Sequence, residues 1–250
     1  MIDPVAINIG IFQIRWYGII MAFGFIMAYF ISQKLAKYRN ISKEDMSDYY
    51  IYFLVSSIIG ARLWAVILNY QNYITNPLEI FAVWHGGMAI HGGIAGAVIA
   101  TYYFTKKRNI NFYDIADIMV IPTALGLALG RIGNLINQEF YGTPTSLPWG
   151  IYFDNLPEKR HPSQIYESLK NLLIFSITLK LFLFKKLKRG TIFWIFILLY
   201  SLLRFSIEFL KDMSTFLSLT YGQIISIPLI ILSIIMLKRI GNPTQHLNNN

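Results

Sequence analysis

Cysteine is missing altogether from the 250 residues, which excludes disulfide staples, thiolate metal sites and a cysteine nucleophile belonging to the chain. Any chemistry must use oxygen and nitrogen side chains or a group on the substrate. Charge is scarce too: Asp, Glu, Lys and Arg make up 14% of the residues, against about 25% in an average globular chain. In their place stand 55% hydrophobic residues, 16% of all residues being aromatic, and a mean hydropathy of +0.47. A soluble domain of this size does not need so much apolar surface, whereas a chain facing lipid does. Disorder, collagen and coiled coil are excluded on composition. Internal repeats, low-complexity linkers and a second domain are also lacking, so residues 1–250 read as one integral-membrane domain. The four histidines, at 85, 91, 161 and 246, lack metal-ligand spacing, and no metal or cofactor is expected.

What is present is a series of apolar runs. A membrane-crossing helix needs roughly 20 mainly apolar residues, and about seven runs qualify: 16–36, 49–69, 86–104, 115–137, 163–184, 191–210 and 222–238. The first lacks a basic leader and a small-residue cleavage site, and is expected to be a retained helix rather than a signal peptide. The formal charge of +9 would suggest nucleic acid in a soluble protein; in this chain its placement argues otherwise. Lys34, Lys37, Arg39, Lys43, Lys106, Lys107, Arg108, Lys180, Lys185, Lys186, Lys188, Arg189, Lys238 and Arg239 all fall on one side of the spans. The other side holds Arg15, Lys159, Arg160 and Lys211. The positive-inside rule then places the N-terminus outside and the C-terminus in the cytoplasm, and no nucleic-acid partner is expected. The fold class is an all-α membrane protein, a polytopic bundle of about seven transmembrane helices. Two outside connections are longer: 70–85, with Pro77 in its middle, and 138–162, rich in Gly, Pro and aromatics, which suits a small periplasmic cap. The final HLNNN is expected to fray.

An ionisable side chain at mid-membrane costs on the order of 2.5–3.5 kcal/mol on insertion scales. Arg62, His91, Arg131, Asn134, Asn137, Glu139, Glu167, Arg204 and Glu208 nevertheless lie within or beside the runs. Arg204 and Glu208, four apart, share a helix face with Tyr200 and can pair in cis; that face either stabilises the bundle or lines a wet cavity. The densest cluster is GRIGNLINQEFYG, 130–142. Arg131, Asn134 and Asn137 follow one another at threes, with Glu139 just beyond. Gly130, Gly133 and Gly142 leave room for close approach of backbone or ligand. The strip suits a phosphate, held by a guanidinium fork with amides for ester or hydroxyl oxygens; the alternative is interhelical hydrogen bonding. His91, between two Gly pairs, is either a core histidine or a neutral imidazole with space around it, able to act as general base. Arg160 and His161, in RHPSQIYE at 160–167, stand at the outer mouth of the fifth run beside Pro162, suited to helix entry with an anionic-lipid contact or to direct substrate contact.

These strings, in order, resemble the prolipoprotein diacylglyceryl transferase family of bacterial inner membranes: RWYG at 15–18, GARL at 60–63, WHGGMAIHGG at 84–93, GRIGNLINQEFYG, RHPSQIYE, the Tyr200, Arg204, Glu208 face, and GQIISIP at 222–228. The family usually has Phe where this chain has Leu135, and commonly Gly, Leu and Trp in place of Gln138, Phe140 and Tyr141; the stretch from Tyr141 to Arg160 is also short. The resemblance implies transfer of the diacylglyceryl group of phosphatidylglycerol to the lipobox cysteine thiol of a preprolipoprotein signal peptide, releasing glycerol phosphate. A nucleophile brought by the substrate fits a chain without cysteine. Under that resemblance Arg131 and Arg204 would grip the phosphate. Asn134, Tyr17 and Glu139 would orient the glycerol, Glu208 would fix Arg204, and His91 would be the base for a thiol of pKa about 8.5. Asn137, Gly142, Arg160, His161 and Tyr200 complete the expected substrate contacts. Two other classes compete. A lipid or small-solute transporter also has Gly-rich broken spans and intramembrane charge, but two-fold repetition is not evident. An intramembrane hydrolase would need a nucleophile that the sequence does not group with His91, and no GxSxG elbow occurs.

Overall fold

A computed structural model describes residues 2–10, 12–82, 86–154, 156–213, 215–216 and 218–241. Trp84, His85, His246 and the frayed tail expected at the C-terminus lie outside the described residues. A short antiparallel hairpin comes first, β1 (Val5–Ile9) paired with β2 (Phe12–Arg15). It is followed by α1 (Trp16–Ala36), α2 (Lys43–Leu68), the single turn α3 (Gln71–Ile74) and a 3₁₀ turn at Pro77–Phe81. Then come α4 (Ile90–Arg108), α5 (Phe112–Ile136), α6 (Ser163–Phe184), α7 (Thr191–Glu208), a second hairpin of β3 (Thr215–Phe216) and β4 (Leu219–Thr220), and α8 (Tyr221–Gly241). The protein is an all-α membrane protein with two minor hairpins that the apolar-run reading did not expect.

Each apolar run became a helix, but polar chemistry moved the ends. α2 begins six residues before the run because Ser42 caps it, its side chain accepting from Asp45 N, with Glu44 and Asp45 in the first turn. α4 begins late: Gly86 and Gly87 have φ of +86° and +70°, a left-handed path that no α-helix can include. Five helical segments, Trp16–Arg39, Lys43–Leu68, Phe112–Ile136, Thr191–Glu208 and Tyr221–Gly241, are long and apolar enough to cross a membrane. α4 and α6 are 19 and 22 residues long but fall short on apolarity, α4 through its glycines and terminal Lys106, Lys107 and Arg108, α6 through Glu167, Lys170, Asn171 and Lys180.

The chain forms two compact units, residues 1–31 with 117–250, and residues 32–116. In the smaller, α2 and α4 run antiparallel and pack through small residues: a Cβ on Gly60 would collide with Gly92 O, and one on Gly96 with Ser56 O. Close backbone approach of this kind is how helices gain contact where lipid removes any hydrophobic drive. Arg108, at the end of α4, reaches back to Asp48 at 2.6 Å and Asp45 at 3.4 Å. In the larger unit, Ile118, Ile121, Ala124 and Ala128 of α5 are buried. The buried stripe of α6 is polar at its start, with Ser163, Gln164, Glu167, Ser168, Lys170 and Asn171, and largely apolar from Ile174 onward; Leu169, Leu172 and Leu173 point outward. That inversion of a soluble helix gathers polar groups at one end of the unit. Asp117 ties α5 to α7 by accepting from Gly190 N and Phe193 N, both at 2.8 Å.

Candidate active site

The last turns of α5 present Arg131 and Asn134, and the chain then turns sharply through Gln138 and Phe140, both with positive φ. The turn swings Glu139 back over its own helix end. Asn134 Nδ2 donates to Glu139 Oε2 at 3.1 Å and Asn137 Nδ2 to Oε1 at 3.3 Å, so the two amides hold one carboxylate from both sides. Gln164 and Ser163, at the start of α6, lock the turn by donating to Glu139 O and Phe140 O at 2.6 and 2.5 Å. Asn137 Oδ1 and Gln164 Oε1 remain buried without a partner among the described residues. Arg131 lies 5.8 Å from the Phe140 ring centroid and 3.5 Å from Asn134 Oδ1.

Glu167, one turn into α6 and 1% exposed, is the electrostatic hub. Its Oε2 accepts from Lys170 Nζ and its Oε1 from Lys211 Nζ, both at 2.6 Å, with Arg131 Nε at 3.8 Å. Lys211 also pairs with Glu208 at 3.1 Å. Lys170 lies 4.3 Å over the Tyr200 ring, and the Tyr200 hydroxyl accepts from Arg204 Nη1 at 3.1 Å. Buried ions survive only when paired and hydrogen-bonded, and this connected set meets that condition. Counting Glu139, four cations face three carboxylates, an imbalance that suits an anion.

No ion pair joins Glu208 to Arg204 among the described residues: Glu208 turns to Lys211, and its carboxylate packs so close to Gly222 that a Cβ there would collide with it. The glycines beside His91 differ among themselves: Gly86 faces open space, while Gly87 is filled by Arg62. Gly92 is consumed by contact with Gly60 and Trp64 on α2, and His91 itself is exposed, without a hydrogen bond to any described residue. Two glycines of the α5 motif are filled by protein, Gly133 by the Tyr17 ring and Gly142 by the backbone of Leu210 and by His161, while Gly130 meets Met21 only at ordinary contact distance. Tyr17 is therefore brought against the turn of helix that carries Arg131 and Asn134.

The 138–162 segment is tied to its neighbours by isolated bridges, Gly142 to Lys211, and Pro144 and Ile151 to Arg160. Arg160 is engaged by Asp212 and, at 3.5 Å, by Glu158, and stacks 5.4 Å from the Tyr141 centroid. His161 Nδ1 and Tyr166 OH share a 3.1 Å hydrogen bond, and Trp149 Nε1 donates to the same hydroxyl at 2.8 Å. In the smaller unit Arg62 is buried, and all five of its N–H groups serve backbone carbonyls, those of Glu79, Ile80, Ala82, Gly86 and Gly87. It builds a loop and has no donor left for a ligand.

The sequence reading did not weigh Lys170 and gave Lys211 no role, though both pair with Glu167. A lysine inside the 163–184 run, three residues after a glutamate, was the available signal for the first. No signal marked Lys211, whose partners come from α6 and α7.

Residues 4–239 match the family model described as prolipoprotein diacylglyceryl transferase. Three similar proteins each bear the name phosphatidylglycerol–prolipoprotein diacylglyceryl transferase. That of Finegoldia magna is 42% identical, covering 94% of this chain and 94% of that protein. That of Geobacter sulfurreducens is 37% identical over the same shares, 94% and 94%. That of Aeromonas hydrophila is 37% identical over 94% of this chain and 89% of that protein.

Proposed function

The chain belongs to the prolipoprotein diacylglyceryl transferase family, and from that membership and the site above we propose that it transfers the diacylglyceryl group of phosphatidylglycerol to the lipobox cysteine thiol of a prolipoprotein. The family match does not favour the transporter reading. The cysteine sulfur forms a bond to the glyceryl carbon, the bond from that carbon to the phosphate oxygen breaks, and glycerol phosphate leaves with the thiol proton passed to it through a base. No residue of the chain needs to become covalently modified, in keeping with its lack of cysteine.

The observation that carries this reading is the cation-rich cluster built around Glu167 from α5, α6, α7 and Lys211. Arg131 and Arg204 take the phosphodiester and offset the charge that grows on the departing phosphate, where fixed cations in a water-poor site act most strongly. Asn134, Glu139 and Tyr17, brought together at the end of α5, orient the glycerol, with Asn137 Oδ1 offering a further acceptor. Gly142, Arg160, His161 and Tyr200 frame this end of the unit. His91 is retained as base on chemical grounds.

The seven-span topology, with N-terminus outside, C-terminus in the cytoplasm, α4 and α6 as crossing helices and 138–162 as a periplasmic cap in the inner membrane, belongs to the same proposal. The one-sided distribution of fourteen basic residues supports it. Purified protein incubated with labelled phosphatidylglycerol and a lipobox peptide tests the activity: the lipid label should appear on the peptide thiol. Peptide cleavage, or no transfer from active preparations, overturns the reading.

A further inference from the structure

Arg131 stands beside a buried carboxylate without being held by it. Both oxygens of Glu167 are taken at 2.6 Å by the ammonium groups of Lys170 and Lys211, whereas Arg131 Nε is 3.8 Å away. Charge-assisted hydrogen bonds close to about 2.8 Å, and arginine prefers to meet a carboxylate as a two-pronged fork. The only other polar contact of this guanidinium among the described residues is the 3.5 Å approach to Asn134 Oδ1. Oε2, the oxygen nearest Arg131, is the one that Lys170 occupies.

Lys170 is fixed in that position. It is 5% exposed, sits one turn beyond Glu167 on the same helix, and has the Tyr200 ring across its ammonium at 4.3 Å. Glu167, for its part, is too deeply buried to be satisfied by water. Without the Lys170 ammonium, its vacated oxygen would draw Arg131 inward by about 1 Å to normal hydrogen-bond length. An incoming anion would then have to displace Glu167 from Arg131 before binding.

We propose that Lys170 is a positioning residue: by occupying Glu167 it keeps Arg131 free for the phosphodiester of the lipid donor. The proposal rests on the reading of Arg131 as a phosphate contact. It predicts a defect in donor binding rather than in the chemical step, and one that depends on the carboxylate. Removing Glu167 together with Lys170 releases Arg131 again, and Lys211 keeps its pairing with Glu208.

The test uses the full-length protein in nanodiscs of graded phosphatidylglycerol content with a lipobox peptide. Lys170→Met should raise the apparent KM for the lipid by about tenfold, the loss of one charge-assisted hydrogen bond, with kcat little changed. Lys170→Arg should stay near wild type, and the double variant Lys170→Met with Glu167→Gln should return KM toward the wild-type value. A wild-type KM in Lys170→Met, or a double variant no better than the single one, overturns the proposal. If Lys170→Met does not accumulate, Lys170→Ala takes its place and is judged against the double variant in the same way. Failure of the underlying reading looks different, because Arg131→Ala would then leave KM unchanged.

Discussion

Replacing Arg62 by lysine separates a guanidinium that builds structure from one that binds substrate. Nε donates to Ile80 O at 2.9 Å, Nη1 to Gly87 O at 3.0 Å and to Gly86 O, and Nη2 to Ala82 O at 3.2 Å and to Glu79 O. Tyr73 covers the group at 5.3 Å. Lysine keeps the charge but has three donors on one nitrogen, so two of the five carbonyls lose their partner. Each costs about 1–3 kcal/mol if it stays buried. Water can reach the half-buried side of this loop, which holds the expected loss near the lower end, about 2 kcal/mol. Methionine abandons all five carbonyls and should cost about 5 kcal/mol or more by the same reckoning. Thermal unfolding in mild detergent gives the stability, and limited proteolysis followed by mass spectrometry locates the damage, expected within 75–89. Both variants should retain a near-normal KM for phosphatidylglycerol in whatever fraction remains folded. A lysine variant with wild-type stability and protection but a raised KM would refute the argument and place Arg62 in the substrate site.

Other substitutions probe the larger unit and the base. Arg131→Lys and Arg204→Lys should each lower kcat/KM by about a hundredfold, because a point charge cannot reproduce a planar fork on a phosphate; full activity in either variant would end the phosphate-grip scheme. Gly222→Ala should push the Glu208 carboxylate off its seat and loosen Lys211. The expected loss is about 1–3 kcal/mol in unfolding free energy, as for other overpacked sites, and a variant as stable as wild type would show that α8 yields freely. His91→Gln should slow transfer at neutral pH and recover partly as the pH rises, since each unit below about 8.5 that is regained raises the thiolate fraction of the peptide roughly tenfold. A substantial activity with an unchanged pH–rate profile would remove His91 as base.

The helices were legible because lipid-facing runs are written in composition, and Arg131, Asn134, Asn137 and Glu139 were legible because the first three follow one another at threes along one helical face with Glu139 just beyond. Their mutual arrangement was partly hidden. Glu139 reaches Asn134 only because Gln138 and Phe140 adopt positive φ, which neither residue type announces. The Arg204 and Glu208 spacing pointed to a pair, but a helix face fixes only which groups can meet. Lys211, three residues past Glu208 and aimed at α6 as well, offered Glu208 a partner that spacing on α7 alone did not weigh. The glycines around His91 are a related case: absence of a side chain permits close approach without saying what approaches, and at Gly92 and Gly93 it is α2.

The three-residue interval between Glu167 and Lys170 bears on how the chain is made. Both charges lie on one helix, so their pairing needs only that segment to coil and nothing from Tyr200, Arg204 or Lys211. α6 thus carries its own counterion at its most polar turn. Lys211, arriving later, has one free oxygen of Glu167 to find, and its capture joins the end of α7 to a helix already in place.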